Sequence, residues 1–359
     1  MMETLSYQRN ETYILIPAYK PDHLMIELLK KLKDEGFDIL VVNDGSGEQY
    51  NAVFEEAKKY AEVIEQNPNK GKGAALRLGF SYVNLHPTTH KYVITCDADG
   101  QHLVSDIIKV DDKLHETNNI VLGSRTFDKS VPKRSRNGNF MSRLCRTLLT
   151  KEYVQDDQCG LRGFPIDDVF NLISLQGNHY EYEMNVICNL QIKRLRFEEV
   201  PIETVYLNDN KSSHFKPSLD TFRIQRTIWM NAIVPFVCGL LSIAMMTILS
   251  GVWNNAGLYK YLFMALSYLF YFQALMGITT FMWPTKRMNR RILVEGCYAT
   301  IKTLFVFVIF TFFYEVCHLY GSIAYTIALT LSFLINFPLA YLVWKIKNRR
   351  VVSNNKKEN

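Results

Sequence analysis

The chain has 359 residues, more than one ordinary domain, with 48% hydrophobic residues, 21% charged residues and seven cysteines. That balance excludes a disordered chain, a collagen-like repeat and a small disulfide-stapled scaffold. The net charge of +6 raises nucleic acid as a partner, but residues 284–359 carry +8 and residues 1–283 carry −2, so the excess sits beside the apolar segments of the C-terminal part and no nucleic-acid partner is expected.

The first ten residues are polar and lack the apolar stretch of a signal peptide. Tyr13–Ile16 reads as a buried strand that stops at Pro17. A helix is expected from about Asp22 to Glu35, with Leu24, Leu28, Leu29 and Leu32 on one face. Asp38–Asn43 is a second strand ending in Asp44-Gly45-Ser46, and a helix from about Glu48 to Tyr60 follows. Glu62–Glu65 is a third strand. It leads into Asn69-Lys-Gly-Lys-Gly73, which lacks the spacing of the G-x-x-x-x-G-K-[ST] phosphate loop; Lys72 at the start of the next helix reads equally as a diphosphate contact and as a simple helix entry. That helix is expected to reach Val83.

The strand Lys91–Cys96 runs into Asp97-Ala-Asp99. Alternate residues of a strand share a face, so both carboxylates can point at one spot. A hard divalent cation wants such oxygens and completes its shell with substrate phosphates. An isolated Asp-x-Asp is more often a turn; its position at a strand end gives this one weight. A helix near Val104–Glu116 and a strand Ile120–Arg125 follow. Strands alternating with helices imply a mainly parallel α/β sheet, with ligands outside the carboxyl ends of the strands.

From about residue 226 the character changes. Trp229–Ser250, Tyr261–Trp283, Tyr298–Leu319 and Ile323–Trp344 are apolar stretches of about the 20 residues that a helix needs to cross a bilayer. Lys286, Arg287, Arg290 and Arg291 lie between the second and third, and Lys345, Lys347, Arg349 and Arg350 follow the fourth. The positive-inside rule then puts the N-terminal domain and both termini in the cytoplasm of an integral, multi-pass protein. The expected division is 1–225, a nucleotide-binding domain; 226–350, an all-α four-helix transmembrane domain; and 351–359, a disordered tail. Glu315, His318 and Lys302 lie near span ends, where charged groups snorkel. The cysteines are scattered and read as reduced.

Nine segments together resemble the family 2 glycosyltransferases with the GT-A fold, in particular the polyprenyl-phosphate type. They are Ile16–Tyr19, Val42–Ser46, Asn69–Ala74, Cys96–His102, Gly123–Arg125, Arg134–Asn139, Asp157–Arg162, Val200–Ile202 and Lys211–Phe215. The four-span half is similar to the GtrA-type domain fused to such enzymes. The resemblance implies a Rossmann-like sheet and an inverting transfer of one sugar from a UDP- or GDP-sugar, UDP-glucose preferred, to membrane polyprenyl phosphate. Mg²⁺ or Mn²⁺ is the implied cofactor, held by Asp97, Asp99 and Gln101. The implied donor site is Pro17, Tyr19, Asp44, Lys72, Asp97, Ala98, Asp99 and His214, with Asp44 reading the base. Arg125, Arg134, Ser135, Arg136 and Arg162 are implied to bind the acceptor phosphate, and Asp99, Asp157 and Arg125 to act at the reacting centre. Asp157 and Arg162 read nearly as well as a structural pair, and residues 129–143 as a basic segment against anionic lipid. Val131 stands where the family usually carries another arginine. A processive polysaccharide synthase is disfavoured, because all four Trp lie from 229 onward and no Gln-x-x-Arg-Trp occurs. A transporter subunit that binds but does not turn over the nucleotide-sugar is the competing class. A homo-oligomer is compatible with the apolar half.

Overall fold

Continuous apolar runs make the strands, because strands covered by helices on both faces bury every side chain. Ile14 to Ile16 of β1 (Thr12–Ala18), Leu40 to Val42 of β2 (Asp38–Asn43) and Val93 and Ile94 of β4 (Tyr92–Thr95) are all fully buried. The computed structural model describes residues 8–86, 89–125, 133–192, 195–203, 217–252, 261–271 and 302–355.

Between these strands come α1 (His23–Asp34), α2 (Asn51–Ala57), β3 (Glu62–Glu65) and α3 (Lys72–Leu85). After β4 follow α4 (Val104–Thr117), β5 (Ile120–Arg125), α5 (Lys133–Thr150), β6 (Arg162–Pro165), α6 (Ile166–Ile173), α7 (Glu181–Ile192) and β7 (Phe197–Ile202). The seven strands lie in the order β3-β2-β1-β4-β6-β5-β7. All neighbours are parallel except β6, which runs antiparallel to both β4 and β5. This is the mainly parallel α/β sheet expected for a GT-A-like domain. Asp22 caps α1, its carboxylate accepting the Leu24 N–H at 2.9 Å. The apolar face of α1, Met25, Leu28, Leu29 and Leu32, is buried in the core on one side of the sheet.

One local expectation needs correction. β1 does not stop at Pro17 but continues to Ala18, because its ladder with β4 ends at Leu15 and the proline lies past it. β6 lies in a segment to which the sequence reading assigns no element, and pairing on both sides holds it extended.

The chain divides into two units. The first takes residues up to Ser142, Gln155–Ile187 and Arg196–Thr227; the second takes Arg143–Val154, Cys188–Leu195 and everything from Ile228. The second unit thus takes two short inner segments besides the C-terminal part of the chain.

Within the second unit, α8 (Pro217–Val252) contributes its later part, followed by α9 (Tyr261–Tyr271), α10 (302–311), α11 (Gly321–Leu334) and α12 (Asn336–Asn355). Its polar groups turn inward: the Ser242 hydroxyl donates to the Ser267 carbonyl at 2.6 Å and pairs with the Tyr325 hydroxyl at 2.6 Å, all three residues being fully buried. Its exposed side chains include Leu241, Ile248, Leu304, Val308, Phe312 and Val343. Apolar outside with small polar residues inside is how helices pack in lipid. Among the described residues one helical run, Gly321–Ile346, is long and apolar enough to cross a membrane, and it contains the expected fourth span; Val237–Leu249 and Tyr261–Tyr271 are shorter apolar helices. Residues 272–301, with the rest of the second span and the loop Lys286–Arg291, lie outside the described residues. α12 continues to Asn355, so the first five residues of the expected disordered tail are helical.

The inner segment of this unit is tied to α12. Tyr153 packs on Phe337, Tyr341 and Trp344, with ring centroids 6.0, 5.1 and 4.9 Å away. The buried Arg146 guanidinium donates to the carbonyls of Glu152 and Val154, both at 3.1 Å.

Candidate active site

Strand order places the site. β1 leads to β2 on one side and, in the sheet, borders β4 on the other, so the carboxyl ends of three parallel strands converge where the order reverses. A cavity of about 670 Å³ opens there. β1 supplies Pro17 to Asp22, β2 supplies Asp44, and β4 supplies Asp97, Ala98 and Asp99. Gly71 and Lys72 at the start of α3, His179 and Tyr180 before α7, and Leu219, Asp220 and Arg223 of α8 complete much of the wall, all within the first unit.

The two carboxylates of the Asp-x-Asp differ. Asp97 lies 2.6 Å from the Lys72 ammonium, which in turn lies 3.0 Å from Glu183. Burial pushes the Asp97 pKa up, but Lys72 and then His102 outweigh it and hold the carboxyl below its ordinary value. Burial lowers that of Lys72, and the charges of Asp97 and Glu183 more than restore it, so the pair is ionised. The Lys72 ammonium also stands 5.5 Å from the Tyr180 ring centroid. Asp99 accepts the Gln101 N–H at 3.1 Å, and its pKa is raised by burial and then by the charge of Asp97.

That arrangement fits a divalent cation. Asp99 is a largely desolvated carboxylate whose ionisation is opposed by its neighbour's charge, which a cation would offset. Among the described residues the Nε2 atom of buried His102 makes no hydrogen bond; it lies 3.6 Å from Asp97. Three protein ligands of the His, Cys, Asp or Glu type do not converge among the described residues. A cation here therefore needs oxygens from its substrate, as magnesium sites commonly do.

Gly160 explains the Asp157–Arg162 segment. Antiparallel pairing of β6 with β4 lays the turn against Asp97, and a Cβ on Gly160 would stand 2.8 Å from an Asp97 carboxylate oxygen. The Thr95 hydroxyl donates to the Gly160 carbonyl at 2.9 Å and fixes the approach. Gly71 has a similar constraint: its φ is +98°, and a Cβ would collide with His179.

Several expected roles change. Asp44 is almost fully buried, and its carboxylate accepts from Gln66 Nε2 at 2.6 Å, Asn69 Nδ2 at 3.1 Å, Lys70 N at 2.8 Å and Gly71 N at 2.9 Å. Four donors fill a carboxylate's lone pairs, so Asp44 clasps the loop before α3 at the cavity wall. Arg162 is also buried; its guanidinium donates to the carbonyls of Cys159, Glu183 and Asp157 at 2.9, 2.6 and 3.3 Å. It holds the β6 turn and is not placed as a phosphate ligand, nor does it pair with the Asp157 carboxylate. Arg125 makes a two-pronged ion pair with buried Asp156, at 2.6 and 3.1 Å, and is not part of the cavity wall. Asp157 is buried outside that wall as well, accepting from the Ser142 hydroxyl at 3.2 Å. Gln101 contributes its backbone to Asp99 and does not line the cavity. Pro17, Tyr19, Asp44, Lys72, Asp97, Ala98 and Asp99, all expected at the donor site, line this one cavity. Arg134, Ser135 and Arg136 fall in the first turn of α5, where side chains are outside the described residues, as is His214 altogether. Glu183, Tyr180, Asp220 and Arg223 were not among the expected site residues. Glu183 at a helix start reads as a cap, and Asp220 and Arg223 carry no motif.

Glycosyl transferase family 2 matches residues 13–169. An uncharacterized protein of Methanocaldococcus jannaschii is 34% identical over 206 residues, covering 55% of this chain and 83% of that one. The UDP-N-acetylglucosamine–dolichyl-phosphate N-acetylglucosaminyltransferase of Methanococcus voltae is 28% identical, covering 54% and 85%. The dolichyl-phosphate beta-glucosyltransferase of Saccharomyces cerevisiae is 27% identical, covering 53% and 65%. Among solved structures, glucosyl-3-phosphoglycerate synthase of Mycobacterium tuberculosis, in complex with Mn²⁺, UDP and glucosyl-3-phosphoglycerate, aligns at a TM-score of 0.45 and 14% identity, over 62% of this chain and 79% of that one, too distant a likeness to decide chemistry. The chain belongs to glycosyl transferase family 2, and it is a glycosyltransferase.

Proposed function

We propose that this enzyme transfers one sugar, with inversion, from a nucleoside-diphosphate sugar to the phosphate of a membrane polyprenol. The observation that carries the reading is the pair Asp97 and Asp99 in a cavity at the carboxyl ends of β1, β2 and β4. The names of the dolichyl-phosphate relatives support the lipid acceptor; one names UDP-N-acetylglucosamine as donor and another a glucosyl transfer, and UDP-glucose is the donor we test first. The lipid-like surface of the second unit supports a multi-pass, GtrA-like anchor with the first unit on the cytoplasmic side.

Asp97 and Asp99 would hold Mg²⁺ or Mn²⁺ against the donor diphosphate, and the cation would neutralise charge growing on the leaving nucleotide. Lys72, already ionised beside Asp97, adds a second positive charge at the same wall. Tyr19 and Pro17 line the cavity where the nucleoside enters. A lipid phosphate oxygen is anionic near neutral pH, so it attacks the anomeric carbon without a strong general base. As its bond to that carbon forms, the carbon–oxygen bond to the diphosphate breaks and the nucleoside diphosphate leaves. Catalysis then rests on positioning and electrostatics.

The test is purified enzyme in detergent with polyprenyl phosphate, Mn²⁺ and a panel of labelled UDP- and GDP-sugars, with and without EDTA. Label should pass into the lipid phase from one UDP-sugar and only with metal. No labelling from any donor rejects the reading, and lipid labelling that persists in EDTA rejects the metal role given to Asp97 and Asp99.

A further inference from the structure

Of the expected phosphate-binding arginines, Arg125 is engaged by Asp156 and Arg162 by backbone carbonyls, while the side chains of Arg134 and Arg136 lie outside the described residues. Three Lys or Arg side chains line the cavity among the described residues: Lys20, Lys72 and Arg223. Lys72 is fixed between Asp97 and Glu183 at the metal side. Lys20 lies on the exposed rim, its ammonium 5.1 Å from the Tyr19 ring centroid. Arg223 is different. It stands in the second turn of α8, its side chain 33% exposed, with one guanidinium nitrogen 3.2 Å from Oδ1 of the buried Asp220. A planar guanidinium has five N–H donors, and this contact, the one found among the described residues, orients it while leaving donors for an anion.

We infer that Arg223 binds the phosphate of the acceptor lipid and that Asp220 positions it. The inference rests on the proposed function and adds to it a residue that no motif marks. With the donor diphosphate proposed at the Asp97–Lys72 wall, Arg223 is, among the described residues, the guanidinium on the cavity wall placed for the other phosphate of the reaction. In sequence the chain turns apolar from Ile228, five residues after Arg223, which suits a phosphate that carries a hydrocarbon chain.

Arg223→Gln and Arg223→Lys in the full-length, detergent-purified enzyme test this, with polyprenyl phosphate varied at saturating donor, the donor varied at saturating acceptor, and UDP–Mn²⁺ affinity measured by calorimetry. Loss of a charge-assisted contact should raise the acceptor KM of Arg223→Gln about tenfold, with donor KM and UDP affinity within about twofold of wild type. Arg223→Lys should recover part of the acceptor KM. An unchanged acceptor KM overturns the inference. So does a raised donor KM with weakened UDP binding, which would assign Arg223 to the donor diphosphate. If the wild-type enzyme labels no lipid phosphate at all, the function falls first and this inference with it.

Discussion

Asp99 and Asp44 are both carboxylates at strand ends, and their surroundings give them opposite tasks. Asp99 has the Gln101 N–H as its hydrogen-bond donor, faces the cavity, and is opposed by the charge of Asp97. Replacing it with alanine removes an oxygen ligand and leaves the fold's hydrogen bonding nearly intact. Asp99→Ala should lower kcat by about 100- to 1,000-fold, the usual scale for losing one electrostatic clamp, with thermal stability near wild type. Comparable turnover in the variant would remove Asp99 from the metal site. Asp44, saturated by four donors, should behave differently. Asp44→Ala strands buried donors worth roughly 1–3 kcal/mol each and frees the loop that leads to Lys72. Melting temperature and UDP affinity should therefore fall together. UDP affinity lost at an unchanged melting temperature would restore a direct contact with the base.

At the scale of elements, β6 brings together what lies far apart in sequence. Its antiparallel pairing carries Gly160 to Asp97, a contact so close that only a hydrogen fits. Gly160→Ala should displace the Asp97 carboxylate and lower Mn²⁺ affinity, read by calorimetry, more than it lowers stability; unaltered Mn²⁺ affinity would count against the geometry. At the opposite ends of the strands, α4 buries Asp111 against β1. Its carboxylate accepts from the Thr12 hydroxyl at 2.5 Å and lies 3.2 Å from Arg9, yet burial pushes its pKa up to about 6. An unfolded Asp titrates near 3.9, so between about pH 4 and 6 the folded chain keeps a proton that the unfolded chain has released. The stability tied to Asp111 is greatest below that window and is lost as pH rises through it. Asp111→Asn should remove this part of the pH dependence, so that from pH 4 to pH 6 melting temperature falls less in the variant than in wild type. Parallel melting curves would disprove the assignment.

At the scale of the whole molecule, the first unit carries a mainly parallel sheet with a polar cavity, and the second is a set of helices with an apolar core, a few buried hydroxyls and many exposed apolar side chains. The excess positive charge of residues 284–359 predicts that a reporter active only in the cytoplasm works when fused after Asn359. A silent reporter at that position would reverse the orientation. The sequence by itself determined the alternation of strands and helices, the apolar segments and the Asp97–Asp99 pair, because hydrophobic period, span length and carboxylate spacing are local properties of a few consecutive residues. It also placed Lys72 at a helix entry near a diphosphate, though as one of two equal readings. Only the tertiary structure decided that Asp44 clasps a loop, that Arg125 belongs to Asp156, that Arg162 holds a turn, and that Arg223 reaches the cavity. Each of those roles depends on a partner brought near by sheet order or helix packing, across separations that no local pattern encodes. A buried carboxylate or guanidinium takes its function from the donors and acceptors that fill it, and those are known only when the chain has closed around it.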